Sequence, residues 1–171
     1  MSWPRGRAVD GGLDAVPLPT TSGSVWLCGK RVVAPDPEGA LRRAGTATMI
    51  VSFNEREELS REYGAYVDWL EANTPGRALW YPIPDLSAPT PEAAVEIIDR
   101  LHRRLVAGDR MILHCAGGIG RAPTMAIGVL LAMGMDRGEA LAHVAAHRPM
   151  AGPEVGAQAD LVVELERHYR S

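Results

Sequence analysis

Cys115 closes an apolar run, MILHC, and is followed by AGGIG and then by Arg121, where an apolar helical pattern begins. With 2 cysteines in 171 residues, a thiol at that junction asks for a chemical reason. A strand–loop–helix unit with glycines in its loop can turn backbone N–H groups inward, and the helix start adds positive potential. Cys115, Ala116, Gly117, Gly118, Ile119, Gly120 and Arg121 therefore read as an anion cradle of the right size for phosphate. Arg121 adds a planar fork able to grip two oxygens. Oriented dipoles and a guanidinium beside a thiol stabilise its anion, which makes Cys115 a nucleophile. The chemistry this implies is in-line attack on phosphorus. The alternative, a small buried residue used for packing, leaves the glycines and Arg121 without a purpose.

His114, Cys115, Gly117 or Gly118, and Arg121 fit the pattern H-C-x-x-G-x-x-R, and here the sequence resembles the cysteine-dependent protein tyrosine and dual-specificity phosphatases. The likeness runs from about Val25 to the C-terminus. It is greatest to the compact kinase-associated branch, through VWLCG, EELSREY, YPIPD, HCAGGIGR and the glutamine that follows RP. The resemblance implies a single-domain α/β protein tyrosine phosphatase-like fold, with a largely parallel central sheet flanked by helices and the catalytic strand–loop–helix at 111–134. It also implies roles. Asp85, in WYPIPDLSAPT, would be the general acid that protonates the leaving oxygen and then the base for water. Gln158 would position that water, and His114 would order the loop. One position departs from the pattern: Ala122 stands where the family has Ser or Thr next to the arginine. Whether Thr124 replaces that hydroxyl is left open. The loop also carries no lysine, which weighs against a highly anionic inositol polyphosphate.

The elements that must hold these residues follow from periodicity. SVWLC, ATMIVSF, RALWYPI and DRMILHC read as short buried strands. Between and after them, helices are expected at Glu55–Ala72, at Thr90–Ala107 with Thr90 as N-cap and Pro91 at the first helical position, through APTMAIGVLLAMG, at DRGEALAHVAAH with Asp136 as N-cap, and at about Glu154–Tyr169. Strands alternating with helices indicate an α/β layer. Residues 1–20, rich in Gly, Pro and Asp, are expected to be a loose arm, with DAVPLP against a domain spanning 21–171.

Composition narrows the function. Hydrophobic content of 46% and charged content of 23% are those of a globular chain, and a net charge of −3 offers no general attraction to nucleic acid or anionic membrane. No run is long enough to span a membrane, and MSWPRGRAVDGG lacks the apolar core of a signal peptide. Two cysteines do not make a disulfide framework, so reduced thiols and a cytoplasmic location are expected. His143 and His147 stand four apart without a third ligand, so neither a metal nor a cofactor is expected. Cys28 reads as core, and Trp80 and Tyr81 as packing. The expected activity is a metal-independent cysteine phosphatase acting on phosphorylated protein or peptide, as a monomer, without nucleic-acid or membrane partners. Phosphotyrosine is the foremost substrate, and phosphoserine and phosphothreonine are compatible. The alternatives are a phosphate-binding pseudophosphatase, or a phosphatase of a non-protein ester such as a phosphoinositide or an RNA 5′ end.

Overall fold

The computed structural model describes residues 2–8, 10–19 and 21–171. Its centre is a strand, Arg110–Cys115 (β5), whose residues from Met111 onward are buried. Ser24–Gly29 (β2) and Met49–Ser52 (β3) flank it in parallel, and Ala78–Trp80 (β4) lies parallel to β3. Asp14–Val16 (β1) adds an antiparallel edge, giving the order β1-β2-β5-β3-β4. Strands buried on both faces read as continuous apolar runs, which is how their sequences appear.

The period of two divides the sheet between two cores. Val25, Leu27, Met49, Val51, Met111 and Leu113 point to one side. There they pack on Pro91–Val106 (α5), Arg121–Ala132 (α6), Arg137–His147 (α7) and Gly156–Arg170 (α8). Ile50, Ile112, Ala78 and Cys28 point to the other. That side is covered by Lys30–Val33 (α1), Pro37–Arg43 (α2), Arg56–Ser60 (α3) and Gly64–Asn73 (α4). Helix α6 is buried from Arg121 to Leu131, as its nearly all-apolar sequence requires.

The caps behave as the sequence predicts. Thr90 accepts from Ala93 N at 3.2 Å, and Asp136 from Glu139 N at 2.9 Å. Two expectations differ. The helix expected over Glu55–Ala72 is two helices, because the chain turns through 61–63 before Gly64 reopens it. The expected loose arm is held beyond DAVPLP: besides β1, the Asp10 and Gly12 carbonyls accept from Arg148, while positions 1, 9 and 20 lie outside the described residues. The carboxyl ends of β5, β3 and β4 all open on one edge of the sheet, where ligands bind in folds of this layout.

Candidate active site

The loop from Cys115 to Gly120 is shaped by what takes its carbonyls. Lys30 N–H donates to Ala116 O at 3.0 Å, and Gly152 N–H to Ile119 O at 2.8 Å. Arg148 donates from Nη2 to Gly117 O at 3.0 Å and from Nε to Gly118 O at 2.8 Å. With four successive carbonyls claimed from outside, the peptide dipoles are fixed with their N–H ends toward the space the loop encircles. Gly118 is obligatory here. Its φ is +69°, and a Cβ would come within 2.5 Å of the Cys28 backbone and 2.7 Å of the Arg148 guanidinium.

Helix α6 starts at the loop's end with Gly120 as its N-cap and no side-chain cap, so its positive end faces the same space. Ala122 N–H donates to Cys115 Sγ at 3.5 Å. Cys115 is 3% exposed and lies at the base of the cradle. Thr124 does not replace the missing hydroxyl: its Oγ1 is buried without a hydrogen-bond partner.

Arg121 is held by a residue the sequence reading passed over. Its Nη1 and Nη2 donate to Glu58 Oε2 and Oε1 at 2.8 and 2.7 Å, a bidentate pair, and Nη1 also reaches Ile83 O at 2.7 Å. Among the described residues Nε has no protein partner, so that edge of the fork remains for an anion. Burial pushes the Glu58 carboxyl upward, but the Arg121 fork, the Glu55 N–H and the Asn54 amide outweigh it and leave its pKa lowered. A glutamate in the charged run NEREELSRE looks solvated. The available signal was its capping geometry, since Glu58 Oε2 also accepts from Glu55 N at 2.7 Å.

Asp85 Oδ1 lies 3.4 Å from Arg121 Nη2, and its side chain is 66% exposed, at the open side of the cradle. The structure therefore brings Cys115, Arg121 and Asp85 together from β5, α6 and the loop after β4. Gln158 is also present, with its amide bonded once at each end. Its Oε1 accepts from Glu154 N at 2.7 Å and its Nε2 donates to Ser87 O at 3.2 Å, so it braces the Asp85 loop against the start of α8. Glu154 itself was not foreseen. Its carboxyl is raised by burial and by Asp85, with Arg121 opposing.

His114 is fully buried, and burial pushes its imidazole down to about 4, so it is neutral at physiological pH. A neutral ring has one donor and one acceptor. The consistent assignment places the proton on Nδ1, which donates to Cys115 O at 3.3 Å, while Nε2 accepts from Tyr66 OH at 2.7 Å. Burial raises Tyr66 well above its usual range and keeps it a donor. The ring thereby links Tyr66 to the first carbonyl of the loop. Burial likewise pushes the Cys28 thiol far up, making it a neutral core residue. Trp80 and Tyr81 pack as expected: Trp80 Nε1 donates to Asn54 O at 2.7 Å and Tyr81 stacks on Phe53. Among the described residues no three His, Cys, Asp or Glu side chains gather to hold a metal, and no helix is long and apolar enough to cross a membrane.

A thiol under a helix N-terminus, on a mostly parallel sheet with an arginine clamp, defines the cysteine-based phosphatases as the class. The chain belongs to the family described as the Swiss Army Knife protein DSP-PTPase phosphatase domain, whose model matches residues 28–161. Among solved structures, Tk-PTP in its active form is 26% identical over 90% of this chain and 96% of its own, with a TM-score of 0.67. The kinase associated phosphatase, in a form with its catalytic-site cysteine replaced by serine, is 23% identical over 86% and 88%, with a TM-score of 0.70. Human DUSP28 is 19% identical over 93% and 95%, with a TM-score of 0.67. The search of curated proteins returned no match.

Proposed function

We propose that the chain hydrolyses phosphomonoesters on protein, foremost phosphotyrosine, through a phosphocysteine intermediate. The observation that carries this reading is the meeting of a nucleophile, an anion clamp and an exposed acid in one cleft, with Asp85 3.4 Å from Arg121. In the first step Cys115 Sγ forms a bond to phosphorus while the ester P–O bond breaks, and Asp85 gives its proton to the departing oxygen. The loop N–H groups and the free edge of Arg121 hold the three equatorial oxygens, as electrostatic stabilisation of phosphoryl transfer requires. In the second step water attacks the phosphocysteine, Asp85 takes its proton, and the S–P bond breaks to return the thiolate and release inorganic phosphate. Gln158 acts here by fixing the Asp85 loop. Neither step requires a cofactor.

A second reading, a phosphate-binding pseudophosphatase, is favoured by one feature, Ala122 in place of a hydroxyl beside the sulfur. The deciding experiment measures phosphate release from phosphotyrosine, phosphoserine and phosphothreonine peptides by the wild type and by Cys115→Ser, with and without chelator. The reading expects chelator-insensitive turnover, fastest on phosphotyrosine, and its loss in Cys115→Ser with phosphopeptide binding kept. Turnover near wild type in Cys115→Ser would refute it. Phosphopeptide binding without any turnover by the wild type would establish the binder.

A further inference from the structure

The described residues between Trp3 and Asp14 take no part in the two chemical steps, yet they converge on the outer side of the phosphate loop. Arg148 lies between them and the loop, completely buried. A guanidinium has five N–H donors, and a buried one persists only where donors and charge are matched. Two of its bonds go to the loop carbonyls of Gly117 and Gly118. The other three go to the N-terminal segment: Nη1 to Gly12 O at 2.9 Å and to Asp14 Oδ2 at 2.8 Å, and Nη2 to Asp10 O at 2.8 Å. The donor set is complete only with the segment in place.

The segment also covers the cation. The Trp3 ring lies 4.6 Å from the Arg148 guanidinium carbon and 5.6 Å from that of Arg7, which pairs in turn with Asp14. Gly11, at φ +81°, leaves room for the indole; a Cβ there would come within 2.5 Å of it. A bare turn of backbone thus lets the ring lie over the buried Arg148 guanidinium.

We propose that the segment Trp3–Asp14 is a positioning element of the phosphate loop. By completing the shell of Arg148 it keeps the Gly117 and Gly118 carbonyls turned out, and therefore the N–H groups turned toward the anion. None of its residues touches substrate. The inference rests on the phosphate reading of the cradle and assigns that cradle a second, distant support.

The test uses the full chain with Trp3→Ala, Trp3→Phe and Gly11→Val, the last of which displaces the indole without altering it. Each is assayed for competitive inhibition by inorganic phosphate, for KM and kcat on an aryl phosphate, and for Tm. A cation–π contact through a partly exposed ring corresponds to roughly twofold to fivefold in affinity. Trp3→Ala and Gly11→Val should therefore raise the phosphate inhibition constant and KM by about that factor, with kcat falling no further than KM rises. Trp3→Phe, which keeps a ring on the guanidinium, should recover most of the loss. Variants with lowered Tm but wild-type phosphate inhibition and KM would overturn the proposal, because the segment would then serve stability alone. A wild type that neither binds phosphate nor turns over aryl phosphate would instead remove the catalytic reading itself.

Discussion

Ala122→Ser tests the second chemical step directly. Breakdown of a phosphocysteine expels the thiolate, and a donor beside sulfur lowers the barrier to its departure. Among the described residues the hydrogen bond to Sγ comes from Ala122 N–H at 3.5 Å, while the Thr124 hydroxyl makes none. A hydrogen bond to a charged group contributes about 1.5–3 kcal/mol, which corresponds to roughly tenfold to a hundredfold in the step it assists. The first step needs the donor less, since an unshielded thiolate is the stronger nucleophile. The wild type should therefore accumulate phosphoenzyme and release a burst of nitrophenolate from p-nitrophenyl phosphate in a rapid-mixing experiment. Ala122→Ser should shrink that burst and raise kcat by about tenfold or more, leaving the burst rate nearly unchanged. Position 122 is completely buried, so the extra oxygen also costs about 1 kcal/mol or more in packing, visible as a lower Tm and separable from the kinetics. A wild type without a burst, or a variant with unchanged burst and kcat, would refute the reasoning.

Two further outcomes follow from the same geometry. A general acid matters most for a basic leaving group, so Asp85→Asn should slow phosphotyrosine peptide hydrolysis far more than hydrolysis of an activated aryl ester; equal slowing of both would place the acid elsewhere. His114, held down to about 4 by burial, and Glu58, lowered by its partners, both have folded-state pKa values below their unfolded ones. The stability each contributes is then present above the unfolded pKa and lost as pH falls through the folded one. The urea midpoint should accordingly drop between about pH 6.5 and 4 as His114 loses about 3 kcal/mol, and further below about pH 4.5 as Glu58 is protonated; a midpoint flat between 6.5 and 4 would contradict a buried neutral imidazole.

What was legible in the sequence is what lies close together along it. Cys115, the glycines and Arg121 form one contiguous stretch, so their shared chemistry shows in the spacing. The strands showed because β-branched, apolar runs leave little else for the chain to do between turns. The break at 61–63 did not show, because the apolar period of Leu59, Tyr63, Tyr66 and Leu70 continues across it. Edge strand β1 did not show either: three residues, DAV, carry almost no pattern, and Asp14 is placed by the buried Arg148. The supporting charges were the least legible part of the site. Patterning treats a charged side chain as a solvated one, and that rule fails where two segments far apart in sequence each bring half of an ion pair. Glu58 lies 63 residues from Arg121, and Asp14 lies 134 residues from Arg148. Neither Arg121 nor Arg148 would stay buried alone, and each is matched only in the folded chain. The motif therefore names the atoms proposed to react, while the residues that hold those atoms in place can be read only from the fold.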